Sequence, residues 1–495
     1  MPHDTPSPGR AHVPVLPIAL SLIALLLAGG RTGLGARHTV TGPAGAVPYN
    51  VLLARGRSEP ALAVDPVNAR RVVVTANPDY FGVVPNEPRN GTFVSFDGGA
   101  TWQTAQVPTY GNFPNIADPS VAITPSRTTY YAFMGESPAY CGETGLAAML
   151  VSRSIDGGRS YEPPVAADIS GLDDKPFMAA GSVNGHDALY LAFNRFYVAY
   201  RQIDVTRSLD GGRTFEAPRV IQQSAGFDFG AVPLVGPDNR LYVVWAHYAK
   251  HSYYAPLVAS IMMRASSDAG ATFGPPVTIA SFTGLPQLLM PGAIRLFTLP
   301  TAALDARGTL YVAWIRARSI AHPRFAGQMQ ADLMLSRSSD SGHTWSRPVA
   351  LNDVPAGDRF MPALGASGDG DVQIAFYDRR TDGVNFALYG VAAHDDGASL
   401  TIWPNKRISA SLSSPYVLHY IVPGSTCVAG GRFMGDYIDA ATGNDGNFNV
   451  AWADTALGHA NETDLWYARV PPTYLRNGTP RTVCWQAPCK NPSAG

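Results

Sequence analysis

One octapeptide recurs along this chain and leaves few folds open to it. The pattern Ser-x-Asp-x-Gly-x-(Thr/Ser)-aromatic occurs five times, at 95–102, 154–161, 208–215, 266–273 and 338–345. An eroded sixth copy lies at His394-Asp395-Asp396-Gly397. These residue types are those of a tight hairpin turn. Asp accepts hydrogen bonds from turn amides, Gly supplies a positive φ, and Ser and Thr satisfy local backbone groups. The closing aromatic is placed to pack between neighbouring sheets. The octapeptide is thus a structural device, not a catalytic one.

A second repeat runs ahead of it. A Pro-led apolar strand, a turn and a strand ending in aromatic residues occur seven times. Pro60-Ala-Leu-Ala-Val leads to Arg71-Val-Val-Val-Thr, and Pro300-Thr-Ala-Ala-Leu leads to Leu310-Tyr-Val-Ala-Trp. The last copy, Gly435-Asp-Tyr-Ile, leads to Phe448-Asn-Val-Ala-Trp. A third strand follows each pair, such as Gly91-Thr-Phe-Val-Ser, and an outer fourth follows the turn, such as Trp102-Gln-Thr-Ala-Gln-Val. Four short strands per unit, repeated around a ring, predict an all-β propeller of four-stranded antiparallel blades. Seven blades fit, or six if one terminal unit is decorative. The seventh unit shows no fourth strand before Pro471-Pro472, so closure must borrow one from Thr39 to Ala54 or from Arg481 to Trp485. The predicted propeller spans 51–470, after a linker or closing strand at 37–50 and before a tail at 471–495.

Composition removes several function classes. Among 495 residues, 37 Lys and Arg balance 38 Asp and Glu, which leaves no basic footprint for nucleic acid. Arg10 and His12 precede an apolar run from Val13 to Ala28 and then small residues from Gly29. That order reads as a signal peptide over 1–36. The run is interrupted by Pro14 and Pro17 and falls short of the ~20 residues that span a bilayer. The expectation is an exported chain, secreted or held in the cell envelope, with no membrane span after cleavage, and monomeric. Cys141, Cys427, Cys484 and Cys489 lack zinc-site spacing; Cys484 and Cys489 could close a small loop. His247, His251 and His322 have no ligand spacing, and neither an EF-hand loop nor a phosphate loop is present, so no metal or cofactor is expected.

The octapeptides and the Pro-led strands together resemble the Asp-box, or bacterial neuraminidase, repeats of the sialidase superfamily. The resemblance implies a sialidase-like propeller whose site lies at the mouth opposite the boxes. It implies an Arg in an Arg-Ile-Pro motif of the first blade, two later Arg residues that complete a carboxylate clamp, a Tyr nucleophile paired with Glu, and an Asp acid/base. The matching stretch reads Arg57-Ser58-Glu59-Pro60. Aligned on the proline, Ser58 takes the Arg position and Arg57 falls one residue away, which on a strand turns it to the other face.

The register brings residues from distant positions to one rim: Glu59, Asp118, Asp174 with Lys175, Asp228, Glu136, His247 and Asp454. Two segments share an Arg-Phe-Met core, Asp358-Arg359-Phe360-Met361-Pro362 and Gly431-Arg432-Phe433-Met434-Gly435-Asp436-Tyr437. The predicted catalytic set is Tyr377, Asp378, Asp436, Tyr437 and Glu59. Tyrosine beside a carboxylate serves as nucleophile, and paired acids do acid/base work on a glycosidic bond. The predicted substrate set is Arg195, Arg316, Arg359, Arg379 and Arg432, planar bidentate donors for a carboxylate. Two functions compete, beside a third, a lyase on uronic-acid polymers, for which the sequence offers no decisive Tyr/His pair near an Arg. One is an exo-acting glycoside hydrolase on acidic, sialic-acid-like glycans. The other is a non-catalytic propeller that binds polysaccharide or protein, with its Arg residues spent in blade ion pairs.

Overall fold

The computed structural model describes residues 39–40, 48–78, 91–138, 145–196, 201–249, 257–289, 291–319, 330–368, 370–421 and 430–486. All belong to one compact unit, Arg37–Gly495. The predicted signal peptide, Cys141, Cys427, Cys489, His251 and His322 lie outside the described residues. Cys484 is disulfide-bonded.

The Pro-led segments form inner strands at Ser58–Val64, Asn115–Ile123, Asp173–Val183, Phe227–Val235, Thr301–Leu304, Arg359–Ser367 and Asp439–Thr442. Each opens an antiparallel sheet that runs outward strand by strand. Each inner strand packs on the next, and the last returns to the first. The chain is a β-propeller. Second strands are its interior: Val72–Asn77 and Phe448–Asp454 are buried at every position, and Trp245, Trp314 and Trp452 are almost wholly inaccessible. Covered on both faces, such strands need near-continuous apolar runs rather than alternation.

Ring closure takes the N-terminal option. Asn50–Arg55 pairs with Asp464–Val470 as the outer strand of the last sheet. The C-terminal alternative, Arg481–Cys484, instead adds an outermost strand to the sixth sheet, against Ser399–Ile402.

The octapeptides close their hairpins as their chemistry predicts. Ser95 Oγ accepts from the Gly99 amide at 2.7 Å and donates to Asp97 Oδ1 at 2.8 Å, and Asp97 accepts from the Thr101 amide at 2.9 Å. The same bonds recur around Asp156, Asp210, Asp268 and Asp340. Burial opposes ionisation of Asp156, Asp210 and Asp340, but these hydrogen bonds outweigh it and pull each to about 2. The box glycine does a second job. At Gly99 (φ 92°) a Cβ would stand 2.2 Å from the Tyr467 ring of the preceding sheet, which also meets Trp102 edge-on at 4.8 Å. Gly158 faces Val73, Gly270 faces Tyr190 and Gly342 faces Met263, each again on the sheet before.

One element stands outside the repeat. Leu288–Leu289, Ile294–Arg295, Gly431–Arg432 and Tyr420–Ile421 form a small sheet of two-residue strands. In it Ile294 runs parallel to Arg432, and Tyr420 lies opposite Arg432. Among the described residues no helix is long and apolar enough to cross a membrane.

Candidate active site

Five inner strands share an irregularity near their start. Pairing with the second strand slips between Ser58 and Ala61, Ala117 and Ser120, Asp174 and Phe177, Phe229 and Val232, and Phe360 and Ala363. Inside each slip sits a residue of positive φ: Glu59 (50°), Asp118 (47°), Lys175 (54°), Gly230 (68°) and Met361 (48°). Four of the five precede a proline, which has no N–H to give the ladder. Bulges re-aim side chains, and left-handed residues other than glycine collect at working sites because they are costly to hold.

Three of the re-aimed side chains are charged, and they meet. Lys175 Nζ lies 3.3 Å from Glu59 Oε1, 3.3 Å from Asp118 Oδ1 and 3.0 Å from Asp436 Oδ2. Arg295 Nη2 reaches the same Asp436 oxygen at 2.7 Å. The Asp436 amide donates to Glu59 Oε1 at 2.9 Å, and Asn77 Nδ2 donates to the other Glu59 oxygen. Asp174 hydrogen-bonds Asp118 side chain to side chain. Four carboxylates thus share two cations, with Glu59, Asp118, Lys175 and Asp436 no more than 5% exposed. Aromatic faces wall the group: the Lys175 ammonium stands 5.3 Å from the Tyr437 ring and 5.8 Å from that of Phe229. Asp436 and Tyr437 also line an axial cavity of about 140 Å³, to which all seven inner segments contribute.

The environment splits the acids. Burial pushes Glu59 up to about 8, although Lys175 pulls the other way. Asp174 is raised well above its ordinary value, again by burial against the pull of Lys175. Asp118 goes down: burial resists, but Lys175 and the hydrogen bonds from Asp174 and Glu59 prevail. Nearby Glu136 rises to about 7 through burial and the charge of Asp118. Acids pushed up and an acid pulled down thus stand side by side, the division of labour on which acid/base chemistry depends.

The structure therefore assembles Glu59, Asp436 and Tyr437 from the predicted set and leaves the others elsewhere. Tyr437 holds its phenol proton more tightly than usual, because burial and the charge of Asp118 both oppose phenolate; a nucleophile needs the reverse. Tyr377 is 1% exposed, stacks on Phe360 and donates to the Ala453 carbonyl, away from the cavity lining. Asp378 is buried against Arg359 and Arg380, at 2.9 and 2.7 Å. The predicted arginine clamp does not form from its five members. Arg195 is held by Asp173 and Asp204 as well as Asp168, Arg316 by Asp332, Arg359 by Asp378 and four carbonyls, and Arg379 by Asp358. Of the five, only Arg432 has no carboxylate partner among the described residues, and it belongs to the small sheet.

Sequence reasoning set Asp118, Asp174 and Lys175 on the rim without choosing them. For Asp118 and Lys175 the signal was a charged residue immediately before the strand proline, as in Glu59-Pro60, with Asp174 one residue earlier. Arg295 left no such trace, since it falls outside the repeat.

No family model matches the sequence, and no curated protein does. Among solved structures, the chain is similar to an ulvan lyase of a polysaccharide lyase family, with a TM-score of 0.50 and 12% identity over 88% of this chain and 96% of that one. It is also similar to the NanB sialidase from Streptococcus pneumoniae (TM-score 0.43, 12% identity, 85% and 69% covered). An α-L-arabinofuranosidase from Fusarium graminearum gives 0.42 and 9%, with 74% and 96% covered. At these identities the likeness is one of fold.

Proposed function

We propose that this chain is an exported, sialidase-like Asp-box propeller that hydrolyses glycosidic bonds at the axial acid cluster. Asp174 and Glu59 serve as general acids, Asp118 as the carboxylate that stabilises or attacks the anomeric carbon, and Lys175 as the fixed charge that keeps Asp118 ionised. The observation that carries this reading is the split among acids gathered around one ammonium, with acids raised and lowered by their surroundings side by side, as acid/base chemistry needs. Solved structures similar in fold bear the names of a lyase, a sialidase and an arabinofuranosidase, all carbohydrate-acting, which favours a glycan as substrate.

The second reading is a binding propeller without chemistry. It gains from the four arginines spent in ion pairs. One experiment separates the two. Purified protein, Asp118→Asn and Glu59→Gln are assayed on a panel of fluorogenic neutral glycosides, uronides and a sialoside. Hydrolysis is expected, with kcat lower by about 100-fold or more in each variant, the usual cost of losing an acid/base group. Polysaccharide binding without turnover of any glycoside would overturn the catalytic reading in favour of the binding one.

A further inference from the structure

The small sheet carries a feature that neither the blades nor the acid cluster uses. Tyr416, in the short 3-10 turn Pro415–Val417, is 57% exposed, and Tyr420 is 44% exposed. Between them lies the half-buried guanidinium of Arg432, centred 5.2 Å from each ring. Its Nη1 donates to the Gly292 carbonyl at 3.0 Å, while its Nε is buried with no hydrogen-bond partner among the described residues. No carboxylate pairs with it among the described residues. A partly desolvated cation without a counter-ion is costly, and two aromatic faces offset only part of that cost. Arg195, Arg316, Arg359 and Arg379 each have an aspartate. Here no described residue supplies the anion.

We propose that Tyr416, Arg432 and Tyr420 form a subsite for an acidic sugar unit of a polysaccharide. The pyranose ring stacks on the tyrosine faces, and its anionic substituent, a uronate carboxylate or a sulfate ester, supplies the counter-ion to Arg432. Tyrosine suits the task because it offers a large, rigid amphipathic surface that already lies exposed. The subsite also connects to the cluster. Arg295 in the adjacent parallel strand stacks its guanidinium 4.4 Å over Phe433 and bonds Asp436. A few residues therefore join the outer platform to the inner acids. This inference rests on the reading of the chain as glycan-directed and assigns the charge class of that glycan.

The test uses the full chain and three polymers: polygalacturonate, dextran sulfate and neutral arabinan, with binding measured by affinity electrophoresis and calorimetry. Arg432→Gln is expected to weaken binding of an anionic polymer at least tenfold, Tyr420→Ala to weaken it comparably, and added salt to weaken it further. Loss confined to polygalacturonate identifies a uronate site, and loss confined to dextran sulfate a sulfate-ester site. Ile155→Ser, on the exposed face of a turn, serves as the unaffected control. With Ile155→Ser still binding and Arg432→Gln not, the subsite stands even if no glycoside is ever hydrolysed. Equal binding of arabinan and the anionic polymers, binding unchanged in both Arg432→Gln and Tyr420→Ala, or no binding of any polymer would overturn it. Circular dichroism and melting of both variants guard against a loss that merely reports unfolding.

Discussion

At the scale of single residues, the acid cluster turns burial into a difference in proton affinity. Lys175 sits within hydrogen-bonding reach of three carboxylates, yet Glu59 remains protonated to about 8 while Asp118 stays ionised below its ordinary 3.8. If Glu59 gives a proton and Asp118 must be charged, kcat/KM follows a bell. The rate falls above about 8 as Glu59 ionises and falls again below 3.8 as Asp118 takes up a proton. A profile flat from pH 5 to 9 would remove Glu59 as the acid. Glu59 was legible beforehand because it stands at the proline of the first inner strand. Tyr377 was misplaced for a reason of geometry. The end of a second strand still alternates faces, and Tyr377 turns between two sheets to give its hydroxyl to a neighbouring carbonyl. Arg295 was not legible, since its partner Asp436 lies 141 positions away and no repeat relates them.

Single elements show why the octapeptide tolerates so little change. Its glycine needs both a left-handed backbone and an empty space where the preceding sheet approaches. Gly99→Ala combines strain at φ 92° with a contact of 2.2 Å to Tyr467. Gly397, in the eroded copy, has φ 95° but nothing within 4 Å of a Cβ. Denaturant unfolding should find Gly397→Ala weakened by about 1 kcal/mol from backbone strain alone, and Gly99→Ala by about 2–4 kcal/mol from strain plus overpacking. Equal losses at the two sites would mean that the box glycine's packing on Tyr467 contributes nothing. The eroded copy has found other work: Asp395 accepts from Tyr311 at 2.8 Å, Arg337 at 2.6 Å and Trp485 at 2.9 Å, binding the fifth and sixth sheets and the tail together. The five intact turns were readable because their chemistry is local. The small sheet was not, since two-residue strands drawn from 288–295 and 420–432 carry no periodicity to read.

For the whole molecule, the buried acids set a common pH dependence. Burial pushes Asp358, Asp439 and Asp464 up to about 7 and Asp454 to about 6. Between the ordinary 3.8 and those values the folded chain holds protons that the unfolded chain has released, so stability falls as pH rises through that window. The box aspartates act at the other end. With Asp156, Asp210 and Asp340 near 2, their contribution is present above the unfolded value and is lost as pH drops from 3.8 toward 2. The melting temperature should therefore peak between about pH 4 and 5 and decline toward both 8 and 2; a maximum above pH 7 in scanning fluorimetry would contradict this accounting. The blade repeat was visible in the sequence because every unit restates it, whereas ring closure depends on the single pairing of Asn50–Arg55 with Asp464–Val470. A ribosome makes the first of these segments before any blade and the second only after every inner strand. Until then the ring cannot close, and a chain released before Asp464–Val470 is made carries at its head an unpaired strand that marks it as unfinished.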